Sequence, residues 1–202
     1  MALLAEAREL GFLGPGELGP QLAHARGFVE TARSVGAPLR WLDLGSGGGL
    51  PGLVVAVDLP GTEGTLLDGM ERRTMFLSRA VVVLRLEGAV TVVRSRAEDH
   101  ARSPLSDGAF DMVMARGFGP PALAAECAAR FLCREGHLLV SEPPDSAGER
   151  WAGLSDTDLG MSFIRVNECA IGSIAVIRKS GATPPQYPRR GPALRRPLFT
   201  SP

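Results

Sequence analysis

From Trp41 to Arg178, short apolar runs alternate with helix-length segments, and nothing else in the chain restricts its fold as much. Trp41–Leu44, Thr65–Leu67, Val90–Arg94, Ala109–Ala115 and Gly136–Ser141 read as strands. Leu50–Val57, Arg72–Leu86 and Pro121–Phe131 read as the helices between them, with Pro51 near a first turn, where proline is tolerated. Ser162–Ala170 and Ser173–Arg178, separated by Gly172, read as a closing pair. This alternation predicts an α/β fold, an open and mostly parallel sheet with helices on both faces. Upstream, Leu3–Leu10 is a short amphipathic pattern, and Gln21–Val35 forms a second helix with Gly36 as its stop. Gly14-Pro15-Gly16 and Gly19-Pro20 between them read as loop. The expected organisation is a short helical segment over 1–40, a central domain over 41–181 and an extended, basic, Pro/Arg-rich tail over 182–202.

The 202 residues are 45% hydrophobic and 22% charged, enough for one ordinary domain with a full core. The first residues lack the basic start of a secretory signal, and no apolar run reaches 18 residues, so a cytoplasmic location with no membrane partner is expected. Cys127, Cys133 and Cys169 are odd in number and lack CxxC spacing, and His24, His100 and His137 are scattered. Neither a disulfide framework nor a metal site is expected, and the cysteines read as buried small hydrophobes. Net charge is zero but uneven. No acid follows Glu168, whereas Arg178, Lys179, Arg189, Arg190, Arg195 and Arg196 do, so the first 168 residues hold 16 cations against 22 acids, a net of −6. An acidic body with a basic tail suits contact with a polyanion, and Arg189, Arg190, Arg195 and Arg196 are the candidate residues for that contact, RNA-binding if the polyanion is RNA. Tyr187 either stacks on a base or packs against the domain.

The strongest local signal is Asp43-Leu44-Gly45-Ser46-Gly47-Gly48-Gly49-Leu50, where the first strand turns into the first crossover helix. Glycines there let backbone approach a ligand at the carboxyl edge of the sheet. A dinucleotide fingerprint counted from Gly45 needs glycine at position 50, which is leucine, and no Walker lysine is present. The remaining D-x-G-x-G-x-G pattern is that of S-adenosylmethionine sites. The second strand ends in Asp68, 25 residues after Asp43, placed to accept the ribose hydroxyls of an adenosyl group. The loop Arg94–Asp99 follows the third strand and lies beside the adenine in such a fold, although Glu98 and Asp99 also suit a helix start. Arg116, at the end of the fourth strand, sits among Gly117, Gly119, Pro120 and Pro121, beside the transferable group.

Gly45–Gly52 with its Leu50-Pro51-Gly52 ending, Thr65–Asp68 with Arg72, Arg73, Phe76 and Leu77, Arg96–Glu98, and Phe110-Asp111 with Ala115-Arg116 together resemble the small-subunit ribosomal RNA guanine-N7 methyltransferases, the glucose-inhibited division protein B family. The basic ending Thr183–Arg190 with Arg195–Leu198 is similar to that family's, as are Gly11–Pro15 and His24. The resemblance implies a Rossmann-like class I fold with a mostly parallel seven-stranded sheet, S-adenosyl-L-methionine as cofactor, and methyl transfer to N7 of a guanine in the 530 loop of 16S rRNA by a monomer. It places Gly45, Leu50, Ala97, Glu98 and Arg116 at cofactor-contact positions and Asp68 at the ribose, with Gly47 and Gly49 in the same loop. Arg116 is also the candidate catalytic residue, binding the cofactor carboxylate, a phosphate, or O6 of the base. Where the family carries Lys-Gly after its fifth strand, this chain reads Ser141-Glu142-Pro143-Pro144. That departure leaves two other readings: a methyltransferase with a different nucleic-acid or small-molecule substrate, and a weakly active paralogue that binds cofactor or RNA.

Overall fold

A computed structural model describes residues 1–200, so the last two residues of the predicted tail, Ser201 and Pro202, lie outside the described residues. The chain opens with α1 (Ala2–Glu9) and α2 (Leu18–Ser34). Then come β1 (Arg40–Leu44), α3 (Gly52–Asp58), β2 (Glu63–Asp68), α4 (Glu71–Val83), β3 (Val90–Arg94) and the single turn α5 (Ala97–His100). The second half runs through β4 (Phe110–Ala115), α6 (Pro121–Ala128), β5 (Leu132–Glu142), a 3-10 segment (Glu149–Asp156), β6 (Met161–Glu168) and β7 (Ser173–Lys179). The strands form one seven-stranded sheet in the order β3-β2-β1-β4-β5-β7-β6. All pairs are parallel except those of β7, which runs antiparallel between β5 and β6. The order reverses between β1 and β4, which opens a crevice at the carboxyl ends of those strands.

The strands carry apolar residues on both sides because both faces are covered. Val113 and Ala115 of β4 and Ala175 and Ile177 of β7 pack with Ala124, Ala125 and Ala128 of α6 and with Trp151. Their neighbours Met112, Met114, Ile174 and Val176 pack with Phe28 and Val29 of α2, Val55 of α3 and Leu77 of α4. Leu4 and Ala7 of α1 join the second core, so the N-terminal segment shares the sheet's interior. No helix among the described residues is long and apolar enough to cross a membrane.

Element boundaries differ from the sequence expectation for local reasons. The pair Gly19-Pro20 lies inside the first turn of α2, where a proline forfeits no helical hydrogen bond. Helix α4 stops at Val83 because Arg85 adopts φ +58°. Helix α6 ends at Ala128, and Phe131 accepts from the backbone N–H of Phe110, which draws the chain into the sheet four residues before the predicted strand. Among the cysteines, Cys127 is buried, whereas Cys133 and Cys169 are half-buried, the latter within reach of Thr31 and Asn167.

Among the described residues the tail has no regular strand or helix beyond a short 3-10 turn (Gly191–Ala193), yet it folds back onto the domain. Arg189 donates its backbone N–H (2.7 Å), Nε (2.9 Å) and Nη2 (2.8 Å) to the buried carboxylate of Glu126 on α6. Arg102 donates to the carbonyls of Gln186 and Pro188, Tyr187 is buried, and the Phe199 ring lies 6.4 Å from that of Trp151. The expectation that Tyr187 packs against the domain is the one the structure meets.

Candidate methyl-donor site

The backbone N–H groups of Gly45 and Ser46 both donate to the carbonyl of Leu67, at 2.9 and 3.0 Å, so the loop after β1 folds over the tip of β2. Gly45 has φ +74°, and a Cβ there would lie 2.7 Å from the Phe118 ring, so both conformation and space require glycine. The loop then re-enters the protein at Gly52. Its N–H donates to Asp43 Oδ2 at 2.9 Å, and a Cβ would fall 2.5 Å from that oxygen and 2.4 Å from Leu66. Asp43 is fully enclosed. Burial pushes its carboxyl up to about 7, against the pull of the Gly52 and Ser46 hydrogen bonds and the Arg116 charge.

Asp68 stands at the tip of β2, its carboxylate almost fully enclosed. Oδ2 accepts from Gly47 N–H at 3.0 Å and lies 3.5 Å from Arg73 Nη1, while Oδ1 accepts from Met70 N–H at 2.8 Å. A carboxylate offers about four acceptor positions, so these three leave room for a hydroxyl. Beside it opens a cavity of about 380 Å³ whose walls include Gly69, Met70, Ala97, Glu98, Phe118 and Leu194. A second cavity, of about 320 Å³, lies at the ends of β4 and β5 between Gly117, Pro121, Ser141, Glu142 and Arg150. Phe118 lines both and forms the partition over Gly45.

Arg116 leaves the end of β4 toward α2, donating to the backbone carbonyl (3.4 Å) and side-chain oxygen (3.3 Å) of Gln21. Burial lowers its pKa, an effect opposed by the Asp43 charge. The same burial, with Arg116 nearby, lowers that of His24, whose ring meets Phe28 edge-on at 5.7 Å.

The structure thus brings Gly45, Gly47, Asp68, Ala97 and Glu98 to one edge, with Arg116 on the neighbouring strand. Gly49 and Leu50 point elsewhere. A Cβ on Gly49 would meet Leu53 and Leu77, and Leu50 is buried in the core under α1 and α2. Arg190 pairs with Asp99 of α5 at 3.5 Å, Arg189 is committed to Glu126, and Arg195 and Arg196 are exposed. Phe118, Arg150 and Leu194 were not foreseen. Gly117 and Gly119 around Phe118 signalled a shaped loop, but nothing near Arg150 or Leu194 marks them in the sequence.

The residues present suit an adenosyl group: a cavity with Met70, Ala97, Phe118 and Leu194 among its walls, next to the strand-end carboxylate of Asp68, which has acceptor capacity left. The fold matches the crystal structure of a SAM-dependent methyltransferase from Aquifex aeolicus with a TM-score of 0.62 and 18% identity, over 87% of this chain and 97% of that one. The chain is thereby placed in the class I S-adenosylmethionine-dependent methyltransferase fold. Residues 25–147 match the family GidB, described as rRNA small subunit methyltransferase G. Two relatives named ribosomal RNA small subunit methyltransferase G are similar over most of the chain. The Prochlorococcus marinus (strain NATL1A) protein is 30% identical over 79% of this chain and 67% of its own length. The Thermotoga neapolitana protein is 33% identical over 78% and 71%. This chain belongs to the GidB family and is an S-adenosylmethionine-dependent methyltransferase.

Proposed function

We propose that this chain methylates N7 of a guanine in the 530 loop of 16S rRNA, acting as a cytoplasmic monomer on the small ribosomal subunit. The observation that carries the reading is the family match over residues 25–147, which spans both cavities' strand-end loops. In this reading Asp68 binds the ribose hydroxyls, Gly45 and Gly47 pass under the cofactor, and Ala97 and Glu98 flank the adenine. The cavity at β4 and β5 receives the base.

Bound S-adenosylmethionine supplies an electrophilic methyl on a sulfonium. Guanine N7 has a lone pair and no proton, so the chain needs no general base. Its task is to align the base with the methyl and exclude water, an effect of roughly 7–11 kcal/mol at best. An arginine forked onto O6 and N7 would block the nucleophile. Arg116 therefore serves the cofactor carboxylate, a phosphate, or O6 alone.

Glu142 supports this reading. Its carboxylate has no exposed side-chain surface, accepting from Trp151 Nε1 at 3.0 Å and from Ser146 and lying 3.6 Å from Arg150 Nη1. The acid is thus turned into the protein, and the side chain it brings to the cavity is the cation Arg150. A negative group facing the base is not what this departure from the family produces.

The test supplies labelled S-adenosylmethionine with three acceptors: 30S subunits lacking the modification, naked 16S rRNA, and small-molecule acceptors. Label in 16S rRNA is expected. Label only in a small molecule, with the cofactor bound, would overturn the proposal.

A further inference from the structure

We propose that the C-terminal tail is a wall of the cofactor cavity, with Leu194 as the side chain that closes over the adenosyl group. This rests on the assignment of the Asp68 cavity to the cofactor.

Residues 189–196 form a loop held at both ends and on both sides of that cavity. Arg189 fixes the start on α6 through its three hydrogen bonds to Glu126. The same guanidinium donates from Nη2 to the carbonyl of Arg196 at 2.6 Å, which draws the far end of the loop back. Arg190 ties the other side to Asp99 on α5, the turn that carries Ala97 and Glu98. Leu194 lies inside this bracket. Its neighbours Ala193 and Arg195 are exposed, while Leu194 is half-buried and lines the cavity together with Ala97 and Met70. It also packs against the core that contains Phe199, and lines a second cleft together with Leu123 and Phe199.

An apolar side chain so fixed, with part of its surface still open, gains burial when a flat apolar ring fills the space. Because the bracket is preformed, little ordering is left for the binding step. The wall arises from residues far beyond the glycine loop and belongs to the same segment whose exposed Arg195 and Arg196 face outward.

The experiment is titration of S-adenosylhomocysteine against the full chain and four variants, with thermal unfolding measured alongside. Leu194→Ala is expected to raise Kd by roughly five- to tenfold. Leu194→Met, of similar volume, stays within about twofold of wild type. Arg189→Ala, which releases the bracket, also weakens binding, and the Leu194→Ala/Arg189→Ala double variant is weaker than the worse single by less than the product of the two effects. In turnover, Leu194→Ala raises KM for the cofactor more than KM for the 30S subunit. If wild type binds and Leu194→Ala binds equally well, the tail proposal is wrong while the cofactor site stands. If wild type itself does not bind, the cofactor-site assignment fails and takes this proposal with it. A fully additive double variant would show that Arg189 does not act through Leu194, which also overturns the bracket.

Discussion

Asp68 and Asp43 stand at the ends of neighbouring strands and do different work because their surroundings differ. Asp68 gathers two backbone N–H groups and the Arg73 guanidinium and still has acceptor capacity left, at the strand end next to the cavity lined by Gly69 and Met70. Asp68→Ala is therefore expected to weaken S-adenosylhomocysteine by at least tenfold, the loss of a charge-assisted hydrogen bond of about 1.5–3 kcal/mol, read by calorimetric titration. Asp43 faces inward, and its raised pKa makes it a pH-dependent element of stability. Below about pH 4 the group is protonated in both the folded and unfolded chain, and its contribution is complete. As pH rises toward about 7, the unfolded chain releases the proton first, so the contribution is progressively lost. Asp43→Asn, which keeps an acceptor for the Gly52 N–H, is expected to flatten the fall in stability between pH 4 and 7, by a few kcal/mol at about 1.4 kcal/mol per unit. Denaturant unfolding across that range checks it, and an unchanged slope would assign the pH dependence to other groups.

At the scale of elements, the inner strands β1 and β4 were legible because burial on both faces demands unbroken apolar runs, and the less buried edge strand β3 matches the expected Val90–Arg94 at both ends through its β-branched residues. The glycine loop and Asp68 were legible for a related reason: steric demands at strand ends restrict residue type. The 3-10 segment Glu149–Asp156 was not. It is held by the contacts of Glu142 with Trp151 and Arg150, which no local pattern records. Glu142→Gln should keep a Trp151 acceptor but lose the Arg150 charge pair, costing about 1–3 kcal/mol in denaturant unfolding. The same limit hid Leu194 and the folded-back tail, since both depend on Arg189 finding Glu126 across more than sixty residues. Leu50, in the Leu50-Pro51-Gly52 motif, has its side chain in the core beneath the N-terminal helices, which leaves its backbone as the part that can meet a cofactor.

Over the whole molecule, the tail carries both Leu194, at the proposed cofactor cavity, and the exposed Arg195 and Arg196. If Arg195 and Arg196 contact rRNA phosphates, replacing each by alanine reduces the slope of log affinity against log salt by about 0.7–0.9, whereas Arg189→Ala leaves that slope unchanged. Filter binding to 30S subunits at several salt concentrations measures this, and an unchanged slope would leave those arginines as solvated surface. By reciprocity, an rRNA contact that steadies the tail also tightens the cofactor. The most direct test of the account is to locate the methyl group. Thirty-S subunits lacking the modification are incubated with this chain and S-adenosylmethionine, and the 16S rRNA is mapped by mass spectrometry. The account predicts one methyl, at N7 of a single guanine in the 530 loop. An unmodified 530 loop from an enzyme that binds the cofactor, on subunits that another family member does methylate, would contradict it.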